Sequence, residues 1–357
     1  MFWDFAASFE AAFLQRKQRA LDLSLGAGSW KCLLVNLHDR IIKYTNDNKC
    51  LRLEGELQQR FQAAAGAKMT TFENNLGMTS HIVRVGTRNI FVSELGSGHP
   101  VLMLHGGGAG ASGLSNYSLN VKVLAQHFRV IVADMPGYGQ STKGVDRKDP
   151  FGDLAGAMLG LLDALKIKSA HLVGNSLGGA CAMRMALDSP GRVSALVLMG
   201  PGGVNTTRGL PTPGLKLLLN YYSGEGPTRE KITRFIREYL VYDGSKVSDE
   251  MIEARYQSSI DPEVVASPPL RKPQGIPNFR RWDFTRDPRL KECSVPTLVL
   301  WGTEDKVNRP DGGEALRSRM RDCSLFLFSK TGHWVQWERA DEFNAVTTAF
   351  LSCRTPR

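Results

Sequence analysis

The chain has 357 residues, 42% of them apolar and 22% charged, with a formal net charge of +10. That composition supports a sizeable soluble core, and the length suits one large α/β domain or two smaller ones. The charge invites an anionic partner, but the basic residues are scattered, with no Lys/Arg block, zinc-finger spacing or heptad array to indicate nucleic acid. A small anionic substrate fits equally well.

Six cysteines (32, 50, 181, 293, 323, 353) contain no C-x-x-C pair, which argues against a disulfide framework or zinc site and suits a reducing compartment. No apolar run approaches the length of a membrane span. The opening MFWDFAASFEAAFLQRKQRA carries Asp4 and Glu10 and no basic segment before an apolar one, so it does not read as a signal peptide. A cytoplasmic protein without a membrane partner is expected.

Residues 1–68 carry helical patches such as LEGELQQRFQAAAGAK and no catalytic constellation. They read as an N-terminal extension or upstream start that adds nothing to the chemistry, the alternative being a dimerisation or docking arm. From 69 to 201 the grammar changes. HIVRVGTRNIFVSELGSG reads as a β-hairpin. VLMLHGGG, FRVIVADMPGYG, AHLVGNSLGG and VSALVLMGPGG are apolar strands ending in glycine-rich or acidic turns, with DLAGAMLGLLDALK and GGACAMRMALDSP as helices between them. Strands apolar at every position predict a mostly parallel, doubly wound α/β sheet, whose sites lie at the strands' carboxyl ends. Over 202–287 the alternation gives way to helical segments (GLKLLLNYY, REKITRFIREYLVY, DEMIEARYQSSI) and the connector SPPLRKPQGIPNFRRWD. This stretch is expected to be a helical lid inserted after the sixth strand. PTLVLWGTED resumes the sheet in a second core part, 288–357.

The turns carry the chemistry. Gly174-Asn175-Ser176-Leu177-Gly178, between an apolar strand and a small-residue helix, is the G-x-S-x-G nucleophile-elbow pattern. A serine nucleophile needs a base, and the base an orienting acid. After Ser176 the chain has one histidine, His333, in SKTGHWVQWE. The acid is expected at the end of LVLWG, where Asp305 is preferred to its neighbour Glu304 for lying deeper in the turn. The order Ser176, Asp305, His333 is that of the α/β-hydrolase fold. His105-Gly106-Gly107-Gly108 matches the HGGG-type loop, so the amides of Gly108 and Leu177 are expected to form an oxyanion hole. Gly106-x-Gly108-x-x-Ala111 also weakly suggests a dinucleotide fingerprint, but the required acid is missing and Ser176 would be left unexplained.

Taken in order, HGGGAGASGLSNY, DMPGYGQS, GNSLGGA, LMGPGG, LVYD, EARY, WGTEDKVN and GHWVQWERADEFN resemble the meta-cleavage product hydrolases, from about Ile82 to Leu351. These α/β-hydrolases cut a C–C bond in 2-hydroxy-6-oxohexa-2,4-dienoates. The resemblance implies that Asn175, Arg255 and Trp334 line the dienoate end of the site. It further implies that Asn116, Gly107 and the lid's Trp282 bind substrate, with packing or loop hydrogen bonding as the other reading of Asn116 and Trp282. It implies no metal or organic cofactor, a small anionic dienoate as the partner, and a homo-oligomer, dimer or higher. The lid departs from more apolar versions through SPPLRKPQGIPNFRR, while GNSLGG, GPTRE and EDKVN lean towards fused-ring or steroid-derived substituents. Aryl substituents stay open, as do pocket roles for Met199, Leu217, Leu218 and Phe235. A carboxylesterase or a non-catalytic ligand-binding relative are the alternatives.

Overall fold

The computed structural model describes residues 36–37, 40–41, 76–272 and 280–355. The chain divides into two units, Met1–Thr70 and Thr71–Arg357. In the first, the described residues are a two-residue antiparallel ladder between Asn36–Leu37 and Arg40–Ile41. The rest of the expected N-terminal extension, with its helical patch at 53–68, lies outside the described residues, as do 273–279 of the connector.

The second unit is built on eight strands. The first four are β1 (Thr79–Val85), β2 (Arg88–Leu95), β3 (Pro100–Leu104) and β4 (Arg129–Ala133). The others are β5 (Ala170–Asn175), β6 (Val193–Met199), β7 (Thr297–Gly302) and β8 (Cys323–Phe328). Their order across the sheet is β8-β7-β6-β5-β3-β4-β2-β1. β1 and β2 form the expected hairpin, β2 runs antiparallel to β4, and every other pair is parallel.

The central strands β3 to β7 are largely apolar because helices cover both faces of the sheet there. Along β3, Leu102 and Leu104 enter one core while Val101 and Met103 enter the other. β7 divides likewise, Val299 and Trp301 against Leu298 and Leu300. Helices α1 (Pro150–Ala164) and α2 (Leu177–Asp188) supply the first core, and the C-terminal helix Ala340–Ser352 the second. This winding places the glycine-rich and acidic turns side by side at the strands' carboxyl ends.

Between β6 and β7 the chain makes α3 (Pro213–Leu219), α4 (Arg229–Arg234), a π-helical stretch (Phe235–Leu240), α5 (Asp249–Ser259) and α6 (Pro262–Ala266). Each α-helix starts on a side-chain cap: Thr212, Thr228, Ser248 and Asp261 accept backbone N–H bonds from the first turn. Pro213 and Pro262 open their helices, where no N–H is missed. Two details differ from the sequence expectation. REKITRFIREYLVY is α-helical only through Arg234 before widening into the π stretch, and five-residue α6 is too short to show a period. Ile232, Phe235, Ile236, Leu240 and Ile252 share a core with Trp334, which fastens this insertion to the sheet unit. Among the described residues no helix is long and apolar enough to cross a membrane.

Candidate active site

Ser176 joins β5 to α2 with φ 53° and ψ −112°, a conformation that costs roughly 1–3 kcal/mol in a non-glycine residue. Three bonds hold it there. Its N–H donates to Met199 O at 2.9 Å, and its carbonyl accepts from Gly202 at 2.8 Å and Ala180 at 3.0 Å. A Cβ on Gly178 would fall 2.1 Å from Leu104 O, so glycine alone allows α2 this close to β3.

Behind the serine, His333 Nδ1–H donates to Asp305 Oδ2 at 2.7 Å. The carboxylate is further held by Trp301 Nε1–H at 3.0 Å on Oδ2, and by the Val307 and Asn308 amides at 2.8 and 2.9 Å on Oδ1. Both residues are buried. Gly200, at φ 46°, closes the back of the pair: a Cβ there would stand 3.0 Å from Oδ2 and 3.1 Å from Nδ1. Glu304 turns away, accepting from Thr303 Oγ1 and the Thr331 amide. With Nδ1 donating, Nε2 of His333 is left as a base nitrogen, buried and without a hydrogen-bond partner among the described residues.

The glycine loop is fixed by His105. Met135 N–H donates to its Nε2 at 2.9 Å, so its Nδ1–H donates to Gly106 O at 2.8 Å. Complete burial favours this neutral form and lowers the imidazole's pKa. The amides of Gly107 and Gly108 make no hydrogen bond among the described residues. Leu177, as the first residue of α2, has no intrahelical acceptor for its own.

Two cavities meet at Ser176. The smaller, about 20 Å³, is lined by Gly106, Gly107, Gly108, Asn116, Asn175, Ser176, Arg255, His333 and Trp334, and closed by Leu218, Phe235 and Leu240. The larger, about 490 Å³, is lined by Ser176, Leu177, Phe151, Leu154, Leu215, Leu218, Pro268, Pro269 and Trp282, with charged residues at its mouth. Trp282 thus belongs to the apolar cavity, beside Phe151 and with its indole nitrogen unpartnered. Met199 and Leu217 pack in the core clusters, whereas Leu218 and Phe235 reach the cavity wall.

Arg255 is the electrostatic centre of the small cavity. It is 5% exposed and sits over Trp334, its guanidinium carbon 5.9 Å from the ring centroid. Its Nε–H donates to Ala109 O at 2.9 Å. Among the described residues it pairs with no carboxylate, and burial pulls its pKa down to about 10. Burying a cation without a counter-ion is costly. Asn175 and Asn116 are braced by the backbone: Asn175 Nδ2–H donates to the carbonyls of Met199 and His333, and Asn116 joins Gly106 to Ser112. Four supporting residues had no assigned role in the sequence: His105, Trp301, Asn308 and Glu338. Glu338 accepts from Tyr242, Gly332 and Trp334 amides. All four stand inside motifs already singled out, His105 in HGGG, Trp301 and Asn308 in WGTEDKVN, and Glu338 in GHWVQWERADEFN, but none of those motifs gives them a role.

Residues 99–340 match the family model described as alpha/beta hydrolase fold. The chain is 37% identical over 295 residues (78% of this chain, 98% of the relative) to the 2-hydroxy-6-oxo-6-phenylhexa-2,4-dienoate hydrolase of Comamonas testosteroni. It is 36% identical over 297 residues (78% and 99%) to the 2-hydroxy-6-oxononadienedioate/2-hydroxy-6-oxononatrienedioate hydrolase of the same organism. Among solved structures, a meta-cleavage product hydrolase of Pseudomonas fluorescens IP01, with acetates bound, superposes with a TM-score of 0.67 at 30% identity, covering 76% of this chain and 97% of that one.

Proposed function

The chain belongs to the meta-cleavage product hydrolases of the α/β-hydrolase fold family, and from that premise we propose how its residues cleave the C–C bond of a 2-hydroxy-6-oxohexa-2,4-dienoate. The products are a 2-hydroxypenta-2,4-dienoate and a carboxylic acid. The observation that carries the reading is Arg255, a buried cation without a carboxylate partner among the described residues, on the same small cavity as Ser176 and His333. An esterase has no use for such a charge; a substrate with a carboxylate beside its reacting chain does.

In this reading the dienoate carboxylate and C2 oxygen lie towards Arg255, and the C6 substituent enters the 490 Å³ cavity. The dienol first ketonises, taking a proton at C5, while Arg255 stabilises negative charge near C2. His333, oriented by Asp305, removes the Ser176 proton as the hydroxyl attacks the C6 ketone. The amides of Gly108 and Leu177 receive the oxyanion. Breaking C5–C6 releases the pentadienoate and leaves an acyl group on Ser176, which water hydrolyses. A variant in which the serine activates water directly uses the same residues. The 20 Å³ beside Arg255 is close to the room one water needs. Residues 202–287 therefore act as a lid whose Leu218, Phe235 and Leu240 move aside when substrate enters.

Loss of the yellow colour of 2-hydroxy-6-oxo-6-phenylhexa-2,4-dienoate, beside release from a p-nitrophenyl ester, tests the reading. Ser176→Ala should abolish both. Arg255→Ala should slow the dienoate by about 10- to 100-fold, the worth of a charge-assisted bidentate contact, and change the ester little. Ester turnover alone, unaffected by Arg255→Ala and with phenyl and fused-ring dienoates both untouched, would leave a carboxylesterase.

A further inference from the structure

Five basic residues that are far apart in the sequence meet at one place in the fold. Arg147 and Lys148 from the loop before α1, Arg271 and Lys272 after α6, and Arg281 beside Trp282 all line the larger cavity, with Asp146 the one acid among them. All five cations are exposed, whereas deeper in the cavity Leu154, Leu218 and Pro268 are buried. The chamber is therefore an apolar shaft with a cationic rim. None of the five takes part in a salt bridge among the described residues. Asp146 accepts from the Lys148 amide at 2.9 Å through its Oδ1, so the rim sets five cations against one carboxylate. Arg271 is held below its ordinary pKa by partial burial and then by the positive charge of Arg147, so the rim repels itself.

Cations in no salt bridge among the described residues, at the far end of an apolar passage from Ser176, describe the other end of the molecule that fills it. The volume sets its size: about 490 Å³ is roughly three times the ~150 Å³ that accommodates a benzene. Accepting the dienoate reading above, on which this rests, we infer that the C6 substituent is bulkier than phenyl and ends in a carboxylate, so that the substrate is a dianion gripped at both ends. Arg255 takes the dienoate carboxylate, and Arg147, Arg271 and Arg281 take the distal one. Addition of water across C5–C6 turns the C6 carbonyl into a second carboxylate, so the acid released is a dicarboxylate. A preceding reaction must then supply a ring-opened diacid.

The test compares two dienoates whose C6 substituent is a biphenyl ending in either a carboxylate or the isosteric carboxamide, with the 6-phenyl compound as reference. At low ionic strength the carboxylate should have a kcat/KM about tenfold or more above the amide, the sum of several partly screened ion pairs. The ratio should shrink as salt is raised past ~0.15 M and fall towards one in an Arg147→Gln, Arg271→Gln, Arg281→Gln triple variant. Lys168→Gln, at the opposite end of β5, should leave it intact. A ratio of one or less in the unmodified protein, a ratio that survives the triple change, or rejection of both biphenyl compounds while the phenyl one is bleached overturns the inference alone. Bleaching of no dienoate at all overturns the functional reading and this inference with it.

Discussion

The two cavities that meet at Ser176 are built from different materials. Around the small one, backbone groups and buried polar side chains dominate: the glycine loop, the braced amides of Asn116 and Asn175, and an Arg255 that is 5% exposed. Around the large one stand leucines, prolines and aromatic rings, ending in solvent-exposed charge. The first holds its atoms through hydrogen bonds that cannot be remade without loss. In the reading proposed above, the second excludes water and sorts by size and charge. Reaction type is therefore tied to the part of the molecule least tolerant of change, and choice of substituent to the part most tolerant of it.

The comparison can be broken most severely at what both cavities share. Asp305→Asn should lower kcat for dienoate and ester alike by about 10³–10⁴, because the imidazole loses its tautomer and its counter-charge, while Glu304→Gln should cost less than about threefold. Equal losses in the two variants, measured by steady-state turnover, would reverse the assignment of the acid.

A smaller and one-sided effect is expected in the apolar shaft. Leu215→Trp should cut kcat/KM for a biphenyl-substituted dienoate by about tenfold or more and alter a methyl-substituted one by less than about threefold. Equal slowing of both would mean that the two cavities are not independent.

Stability should separate them as well. Because Arg255 is buried without a counter-ion, its folded-state pKa lies below the unfolded value, and its charge opposes folding at every pH below about 10. Arg255→Met should therefore raise the stability of the ligand-free protein by about 1–2 kcal/mol, a few degrees in Tm, while activity on dienoates is lost. A lower Tm in calorimetry would mean that the cation-π contact and the Ala109 bond outweigh desolvation.

The least effect comes from pH, acting far from both cavities. His171, at the start of β5 beside His99, is pulled down to about 3 by burial and then by its neighbour. It stays neutral in the folded chain while the unfolded chain takes up a proton below about 6.5. Its contribution is thus intact above that pH and falls by on the order of 1 kcal/mol between pH 7 and 5.5. Denaturant melts across that range should show the loss, and His171→Phe should flatten it; an unchanged slope would move the acid sensitivity elsewhere.

How much of this was legible beforehand follows from what each feature depends on. β3 to β7 were readable because each is an apolar run closed by glycine or acid, a pattern set within ten residues. Ser176, His333 and the HGGG loop were readable for the same local reason. Arg255 could be picked out only by its resemblance to a motif, since α5 by itself reads as a solvated helix. The cationic rim was invisible: residues 147–148, 271–272 and 281 are far apart in sequence, and only the crossing of α1 and the insertion unites them. The widening at Phe235 was hidden too, because REKITRFIREYLVY has an ordinary helical composition, and the core its residues share with Trp334 joins positions about a hundred residues apart.

The π stretch ends at Leu240, whose carbonyl accepts the backbone N–H of His333 at 2.8 Å, and two residues later Glu338 accepts from Tyr242 at 2.7 Å. Any lifting of Leu240 that enlarges the space beside Arg255 either breaks the first bond or draws the His333 backbone with it. In the role proposed for His333, movement of the insertion and placement of the base are thus coupled through one backbone bond.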